Sequence, residues 1–445
     1  LQADEEWMTT RTENLEPYKE MVALMTPEIC SRLTTVPIPA LEAAAHLYAA
    51  AGAAMSVHGL GMTEHSHGSE GVMSLSSLAL LTGNVGRPGT GINPLRGQNN
   101  VQGSCDMGAL PNVFTNYQSV SDPDRRAEFS AVWGVDVPET PGLTYPEMLE
   151  NVFEGKMRSL YMIGSDIAQT DPNNLRVQEA LSKLDLLIVQ DIFMCESAKY
   201  AHVVLPAASF LESDGTYTNG ERRVQRIRKA IPPPGDAKED WRIVSELAAV
   251  LGQQINASDS VSDIWDEIAS LTPNFTGISY DILENVEAIQ WPAPEKGHPG
   301  TTVMHSDVFS RGLGNFAAPE FAEPSEKASE EYPFILVTGR NLFHYNSGTQ
   351  TRRAGLNEFH ADDYLEIHPE DALSLDIVED SRVWLSSPRN RIQMTAKITK
   401  DVQQGNLFTT FHFPETGVNT VLSSSSDSYT RCPEYKVQAV AVSPV

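Results

Sequence analysis

SLYMIGSDIAQTDPNNLRVQEALSKLDLLIVQD, from Ser159 to Asp191, sets the fold class. SLYMIG is a short apolar run closed by Gly164, GSDIAQTDPNN a polar loop, LRVQEALSKL an amphipathic helix, and DLLIVQD a second apolar run. Runs without polar alternation read as strands covered on both faces, and strand, helix, strand in succession predicts a parallel sheet. HVVLPAAS, from His202, supplies a third strand. The same alternation stands upstream, where LEAAAHLYAAAG after Pro39 reads as a buried helix ended by Gly52, AAMSVHG as a buried strand, and Gly68 to Leu81 as another helix. The expected class is therefore α/β and doubly wound, with ligands gathered beyond the carboxyl ends of the strands.

A second stretch, GNVGRPGTGINPLRGQNNVQGSCDMG from Gly83 to Gly108, departs from the chain around it. The 445 residues carry 32 basic against 59 acidic side chains, a formal net charge of -27, yet this run holds Arg87 and Arg96 with one acid, Asp106. Gly97, Gln98, Asn99, Asn100 and Gln102 surround Arg96 with small residues and neutral amides. A planar, permanently charged fork in that setting reads as a pocket for a carboxylate or phosphate. A Gly/Pro/Asn-rich loop whose amides satisfy only its own backbone accounts for the composition equally well.

Elsewhere the composition mostly excludes. The acidic balance argues against nucleic acid, because no dominant basic face is available to neutralise phosphates. No apolar run reaches membrane length; the stretch from Ala43 to Met62 is interrupted by His46, Gly52 and His58. Cys30, Cys105, Cys195 and Cys432 are scattered without a CxxC, so neither an iron-sulfur cluster, a zinc site nor a disulfide framework is encoded. His58, His65 and His67 lie close together after a strand, but no metal ligand is assigned to them. ERRVQRIRKA, from Glu221 to Ala230, is the one dense basic run and reads as a docking face for a partner.

IVSELAAVLG and VSDIWDEIASL are expected helices, and EFAEPSEKASEEYP from Glu320 to Pro333 a linker. Beyond it FILVTG, YLEI, RVWLSS, RIQMTAKIT and NLFTTFHF are short strands, with HPEDALSLDI a short helix and Pro388, Arg389 and Asn390 a turn. That pattern predicts a small closed β-barrel.

The order of residues carries more than their composition. LTGNVGRPGTGINPLRGQNNVQGSCDMGALPNVF closely resembles a run in the catalytic (alpha) subunits of molybdenum or tungsten bis(molybdopterin guanine dinucleotide) formate dehydrogenases, of the DMSO reductase superfamily. GLGMTEHSHG from Gly59, YMIGSDIAQTD from Tyr161, VQDIFM from Val189 and VVLPAASFLESDGTYTNGERRVQRIRKA from Val203 match the same family in the same order. So do VTGRNLFHYNSGTQTRR from Val337 and PEYKVQAVAV near the end.

The resemblance implies oxidation of formate to carbon dioxide, with Arg96 orienting the substrate and the two electrons leaving through a pterin to an iron-sulfur cluster. It places Leu60, Glu64, Gln98, Gly164, Asp166, Thr170, Gln190, Asp191 and Asp240 around the two guanine dinucleotides, with Arg340, Asn341, His344, Asn419 and Lys436 added from the last domain. Glu64 departs from the family, which usually has Gln there, and Asp166 and Asp171 read equally well as caps of turns. Implied boundaries are an α/β domain end over 1–98, a second α/β cofactor domain over 99–230, a helical connection over 231–332, and a barrel over 333–445 that the family builds as a six-stranded double-psi barrel capping the cofactor. Because the chain opens at Leu1 on what resembles a mid-chain segment, a fragment or a split gene is expected. The absent N-terminal half would bring the 4Fe-4S cluster and the Cys or selenocysteine metal ligand. Iron-sulfur and NAD or flavin electron-transfer subunits are the further partners implied, in the cytoplasm. Rival readings are another bis-pterin enzyme, a nitrate reductase or formylmethanofuran dehydrogenase, and an electron-relay homologue that has lost the cofactor.

Overall fold

The computed structural model describes residues 5–253 and 260–445. Its first parallel unit joins a helix α1 (Ile38–Ala50), a strand β1 (Met55–His58), a helix α2 (Gly68–Leu81) and a strand β2 (Gly91–Pro94). β1 and β2 pair in parallel, Met55 opposite Gly91 and His58 opposite Pro94. The loop expected from Gly83 to Gly108 thus contains a strand and a short helix α3 (Val101–Asp106). Gly86 and Gly89, at φ of +74° and +78°, turn the chain where a side chain would be strained, and Asn84 Oδ1 ties the turn to β1 by accepting the Ala54 N–H at 3.0 Å. The expected burial of α1 and β1 is not met within this chain: α1 buries no residue, and Val57 is 56 % exposed. A two-stranded sheet has only one neighbour per strand, too little surface to cover a helix and both strand faces.

A second unit follows a helix α4 (Tyr145–Phe153) and runs through β3 (Ser159–Ile163), a helix α5 (Asn174–Lys183), β4 (Leu186–Asp191) and β5 (Val203–Pro206). The three strands are parallel in the order β3-β4-β5, as the sequence pattern predicts. Val177, Ala180 and Leu181 of α5 share a core with Leu187 and Val189 of β4, all of them fully buried. Ile167–Thr170, read as loop, is one helical turn.

Residues Gly215–Thr218 (β6), Arg223–Ile227 (β7) and, after helices α6 (Asp240–Val250) and α7 (Val261–Leu271), Ile289–Gln290 (β8) form an antiparallel sheet. Within the basic run, part of the charge is already spent inside the protein. Arg226 is turned inward against Glu284 at 2.9 Å, with its guanidinium 4.2 Å from the Tyr280 ring centre, and Arg228 binds the same Glu284 at 2.7 Å. Arg226 and Arg228, two residues apart, meet the same glutamate, whereas Arg223, on the other face of β7, pairs with Glu221 at 2.7 Å.

The last region closes into a six-stranded barrel: β9 (Phe334–Thr338), β10 (Tyr364–Ile367), a helix α8 (Pro369–Ser374), β11 (Arg382–Ser386), β12 (Arg391–Ile398), β13 (Asn406–Thr409) and β14 (Gln438–Pro444). Its order is β9-β13-β10-β12-β11-β14, with β14 returning to β9. Alternate residues such as Leu336, Leu365, Leu385 and Met394 point inward and are wholly buried. The preceding Glu/Ser/Pro-rich segment is no free linker, since Glu326 receives Arg389 Nη1 at 2.6 Å and the Ala439 N–H at 2.9 Å. Among the described residues no helix is long and apolar enough to cross a membrane. Leu385→Ala should cost about 2–5 kcal/mol through the cavity it leaves, whereas Val378→Ala, at a site 65 % exposed, should stay within about 0.5 kcal/mol; denaturant unfolding of the two variants measures the difference.

Candidate functional site

The carboxyl ends of β3 and β4 lie side by side, where the Gly164 N–H donates to the Gln190 carbonyl at 2.8 Å. Gly164 sits at φ +59° and a Cβ built on it would meet open space, so this turn presents bare backbone to a cavity of about 420 Å³. Seven of the residues expected around a cofactor line that cavity together: Glu64, Gln98, Gly164, Asp166, Thr170, Asp191 and Arg340. They come from three regions of the chain, and the barrel forms the opposite wall through Tyr345, Phe411 and Tyr435. None of these three tyrosine and phenylalanine positions was singled out from sequence, although HYNSG and PEYK were; an aromatic beside a polar loop was the available signal.

Two expected contacts already have work within the protein. Asp166 accepts from the Ser197 N–H at 2.7 Å, the Ser197 hydroxyl at 2.8 Å and the Glu196 N–H at 3.2 Å, as a turn cap does. Gln190 donates to Asp240 Oδ1 at 2.6 Å and accepts the Tyr161 hydroxyl. Asp191 is less committed, with Oδ1 accepting the Phe193 N–H at 3.0 Å, and burial raises its pKa. Arg340 lies over the Phe411 ring and spends only Nε, on Asn346 at 3.3 Å; among the described residues its two terminal nitrogens take no hydrogen bond.

The remaining expected residues stand behind the wall. Asn341 Oδ1 caps the Phe343 and His344 N–H groups at 2.8 and 2.9 Å, and His344 Nε2 meets the His360 carbonyl at 2.8 Å. Asn419 donates to the Gln169 and Thr170 carbonyls at 2.9 and 2.8 Å, so it braces the turn that carries Thr170. Leu60 opens the one-turn helix Leu60–Thr63 after β1. Lys436 Nζ reaches Glu64 at 3.0 Å and the Thr338 carbonyl at 2.7 Å. The carboxylate at 64, unusual for the resemblance, is thereby matched by a buried ammonium instead of standing alone.

Arg96 lies on the exposed run after β2. Its Nε donates to Gln102 Oε1 at 3.1 Å, while Nη1 and Nη2 take no partner among the described residues. Gln98 lines the first cavity and Gln102 a second one of about 850 Å³ bounded by the Gly86–Gly91 turn, Arg222 and Phe309; Arg96 lines neither. The neighbouring Asn99 N–H donates to the Tyr345 hydroxyl at 2.9 Å, which brings the barrel loop against the arginine loop.

The chemistry of this wall fits a phosphate-bearing nucleotide cofactor. It offers a guanidinium with two free nitrogens, bare backbone at Gly164, and carboxylates for amino or hydroxyl donors. Behind the wall, Asn341 Nδ2 and Asn419 Oδ1 are buried polar atoms without a hydrogen-bond partner among the described residues.

Two groups beside the cavity titrate as a pair. His65 has its pKa raised, chiefly by Glu434, and Glu434 has its own lowered because hydrogen bonds from His65 and the Ser66 and Lys436 N–H groups outweigh the cost of burial. A lowered carboxyl stabilises the fold above its unfolded value and loses that contribution as pH falls; a raised imidazole stabilises below its unfolded value and loses it as pH rises. The pair therefore contributes most at weakly acidic pH. Glu434→Gln should lower the His65 pKa, read by NMR titration, and flatten the dependence of unfolding free energy on pH between the two transitions.

Comparison with known proteins bears on the family and the fold. The model of the family "Molybdopterin oxidoreductase" matches residues 6–250, and that of the "Molydopterin dinucleotide binding domain" matches 334–439, the barrel. F420-dependent formate dehydrogenase subunit alpha of Methanocaldococcus jannaschii is 44 % identical over 99 % of this chain and 65 % of its own length. Formate dehydrogenase H of Escherichia coli is 37 % identical over 99 % of this chain and 63 % of its own. The chain thus spans just under two thirds of the length of these curated relatives. Acetylene hydratase from Pelobacter acetylenicus shares the fold, with a TM-score of 0.73 at 17 % identity over 99 % of this chain and 68 % of that one. Parallel α/β units, a closing barrel and the matched sequence models together make this chain a member of the molybdopterin oxidoreductase family.

Proposed function

We propose that this chain is the cofactor-holding part of a formate dehydrogenase catalytic subunit. The reaction is HCOO⁻ → CO₂ + H⁺ + 2 e⁻, reversible in principle. The observation that carries the reading is Arg96, whose Nη1 and Nη2 take no partner among the described residues in a loop whose Gln98 lines the cavity, together with relatives whose names are formate dehydrogenases. A bidentate guanidinium holds a small carboxylate by both oxygens and so fixes where its C–H points.

A bis(molybdopterin guanine dinucleotide) bearing molybdenum or tungsten supplies the two-electron acceptor when bound. Toward it, Arg340 meets phosphate, Asp191 and Thr170 meet guanine or ribose donors, and Gln98 lies between the formate and pterin sides. Asp166, Gln190, Asp240, Asn419, His344 and Lys436 hold the wall in shape, as their internal hydrogen bonds support. The iron-sulfur cluster and the metal's protein ligand belong, in this reading, to the share of the relatives' length that this chain does not cover, and further iron-sulfur and NAD or flavin subunits carry the electrons on. Four free cysteines without a disulfide accord with a cytoplasmic setting.

Arg96→Lys in the assembled enzyme should leave metal and pterin content unchanged while lowering kcat/KM for formate about 10–100-fold, the worth of a charge-assisted hydrogen bond. Unchanged formate kinetics would remove Arg96 from the site. Absence of metal and pterin in the purified complex would instead favour the electron-relay reading. Arg340→Ala should lower the pterin retained per polypeptide, measured after gel filtration by the fluorescence of the oxidised pterin.

A further inference from the structure

Behind Arg96 runs a chain of buried polar contacts that ends in an aromatic core. Gln102 accepts from Arg96 Nε through Oε1 at 3.1 Å and donates through Nε2 to Asp106 Oδ1 at 2.7 Å. Asp106, wholly buried, takes the Trp291 indole N–H on its other oxygen at 2.7 Å. Trp291 packs edge-on against Phe275, which stacks on Trp265. The orientation of the Gln102 amide follows from its neighbours: the guanidinium only donates and an ionised carboxylate only accepts. A neutral amide meets both at once without adding charge.

We propose that Gln102 is a positioning residue for Arg96, transmitting the fixed geometry of Asp106 and Trp291 to the guanidinium plane; this rests on the reading of Arg96 as the formate-binding residue. The exposed loop around Arg96 offers its side chain no other hydrogen bond among the described residues, so the Nε contact alone decides which way Nη1 and Nη2 face. A guanidinium is planar, and fixing Nε fixes the direction of the other two nitrogens. Without Gln102 the arginine keeps its charge but loses its orientation. Burial raises the Asp106 pKa, and the hydrogen bonds from Gln102 and Trp291, with the nearby Arg96 charge, offset part of that rise.

The test uses the assembled, metal-loaded enzyme. Gln102→Leu should raise the KM for formate about tenfold with kcat changed far less, and raise the inhibition constant of azide, a small linear anion, in parallel, while metal and pterin content stay normal. Gln102→Glu combined with Asp106→Asn reverses the polarity of the relay yet restores each contact, since the new carboxylate accepts from both Arg96 and the new amide, and that amide still accepts from Trp291. This double variant should recover most of the lost affinity. In the Arg96→Lys background, Gln102→Leu should change KM no further. If Arg96→Lys raises KM but Gln102→Leu does not, or if the two effects multiply independently, the positioning role is overturned and the formate reading stands. If Arg96→Lys leaves KM unchanged, the formate reading itself falls.

Discussion

A short seam of buried charge joins the approach to the last barrel strand to the loop after the first parallel strand, and the cavity depends on it. Lys436 meets Glu64 at 3.0 Å, Glu434 accepts the Ser66 N–H at 2.8 Å, and Asp427 accepts the Ser69 N–H and hydroxyl at 3.0 and 2.8 Å. Buried charges of this kind contribute little net stability, because desolvation offsets attraction, but each is costly to leave unpaired. Their effect is to permit one seating of barrel on α/β units and to penalise others. With that seating fixed, Tyr435, Phe411 and Arg340 face Gly164 and Asp191 across the cavity.

The two sides contribute different physics. The parallel unit brings the ends of strands, where Gly164 exposes backbone and carboxylates gather without basic partners. The barrel brings rigidity, since a closed sheet has no edge to fray, and so it can hold a loop such as 340–354 in place. Within that loop Asn341 and His344 hydrogen-bond to backbone and to one another's neighbours, and neither is spent on solvent. Burial lowers the His412 pKa to about 4, so that imidazole stays neutral beside Arg340 at neutral pH.

Arg96 illustrates how one residue can be exposed and yet directed. Its loop carries glycines and prolines that deny it a packed environment, but the relay through Gln102 and Asp106 reaches a core more than a hundred residues away in sequence. The same economy appears at Arg226, where a basic residue in a dense run is consumed by Glu284 and Tyr280. Two arginines thus end in opposite roles, one open-handed and one neutralised.

Much was legible in the chain itself. Apolar runs of strand length, helical spacing in LRVQEALSKL, and the Pro388–Asn390 turn report local burial and local backbone preference, so the parallel unit and the barrel strands could be read directly. The matching stretches around Arg96 and Gly164 likewise pointed to a single region, and seven of the expected residues line one cavity. Pairings across long separations could not be read: Glu64 with Lys436, Asp106 with Trp291, Glu326 with Arg389, and the strand Gly91–Pro94 hidden in a Gly-rich run. Periodicity records whether a side chain is covered, and only the closed tertiary structure decides by what.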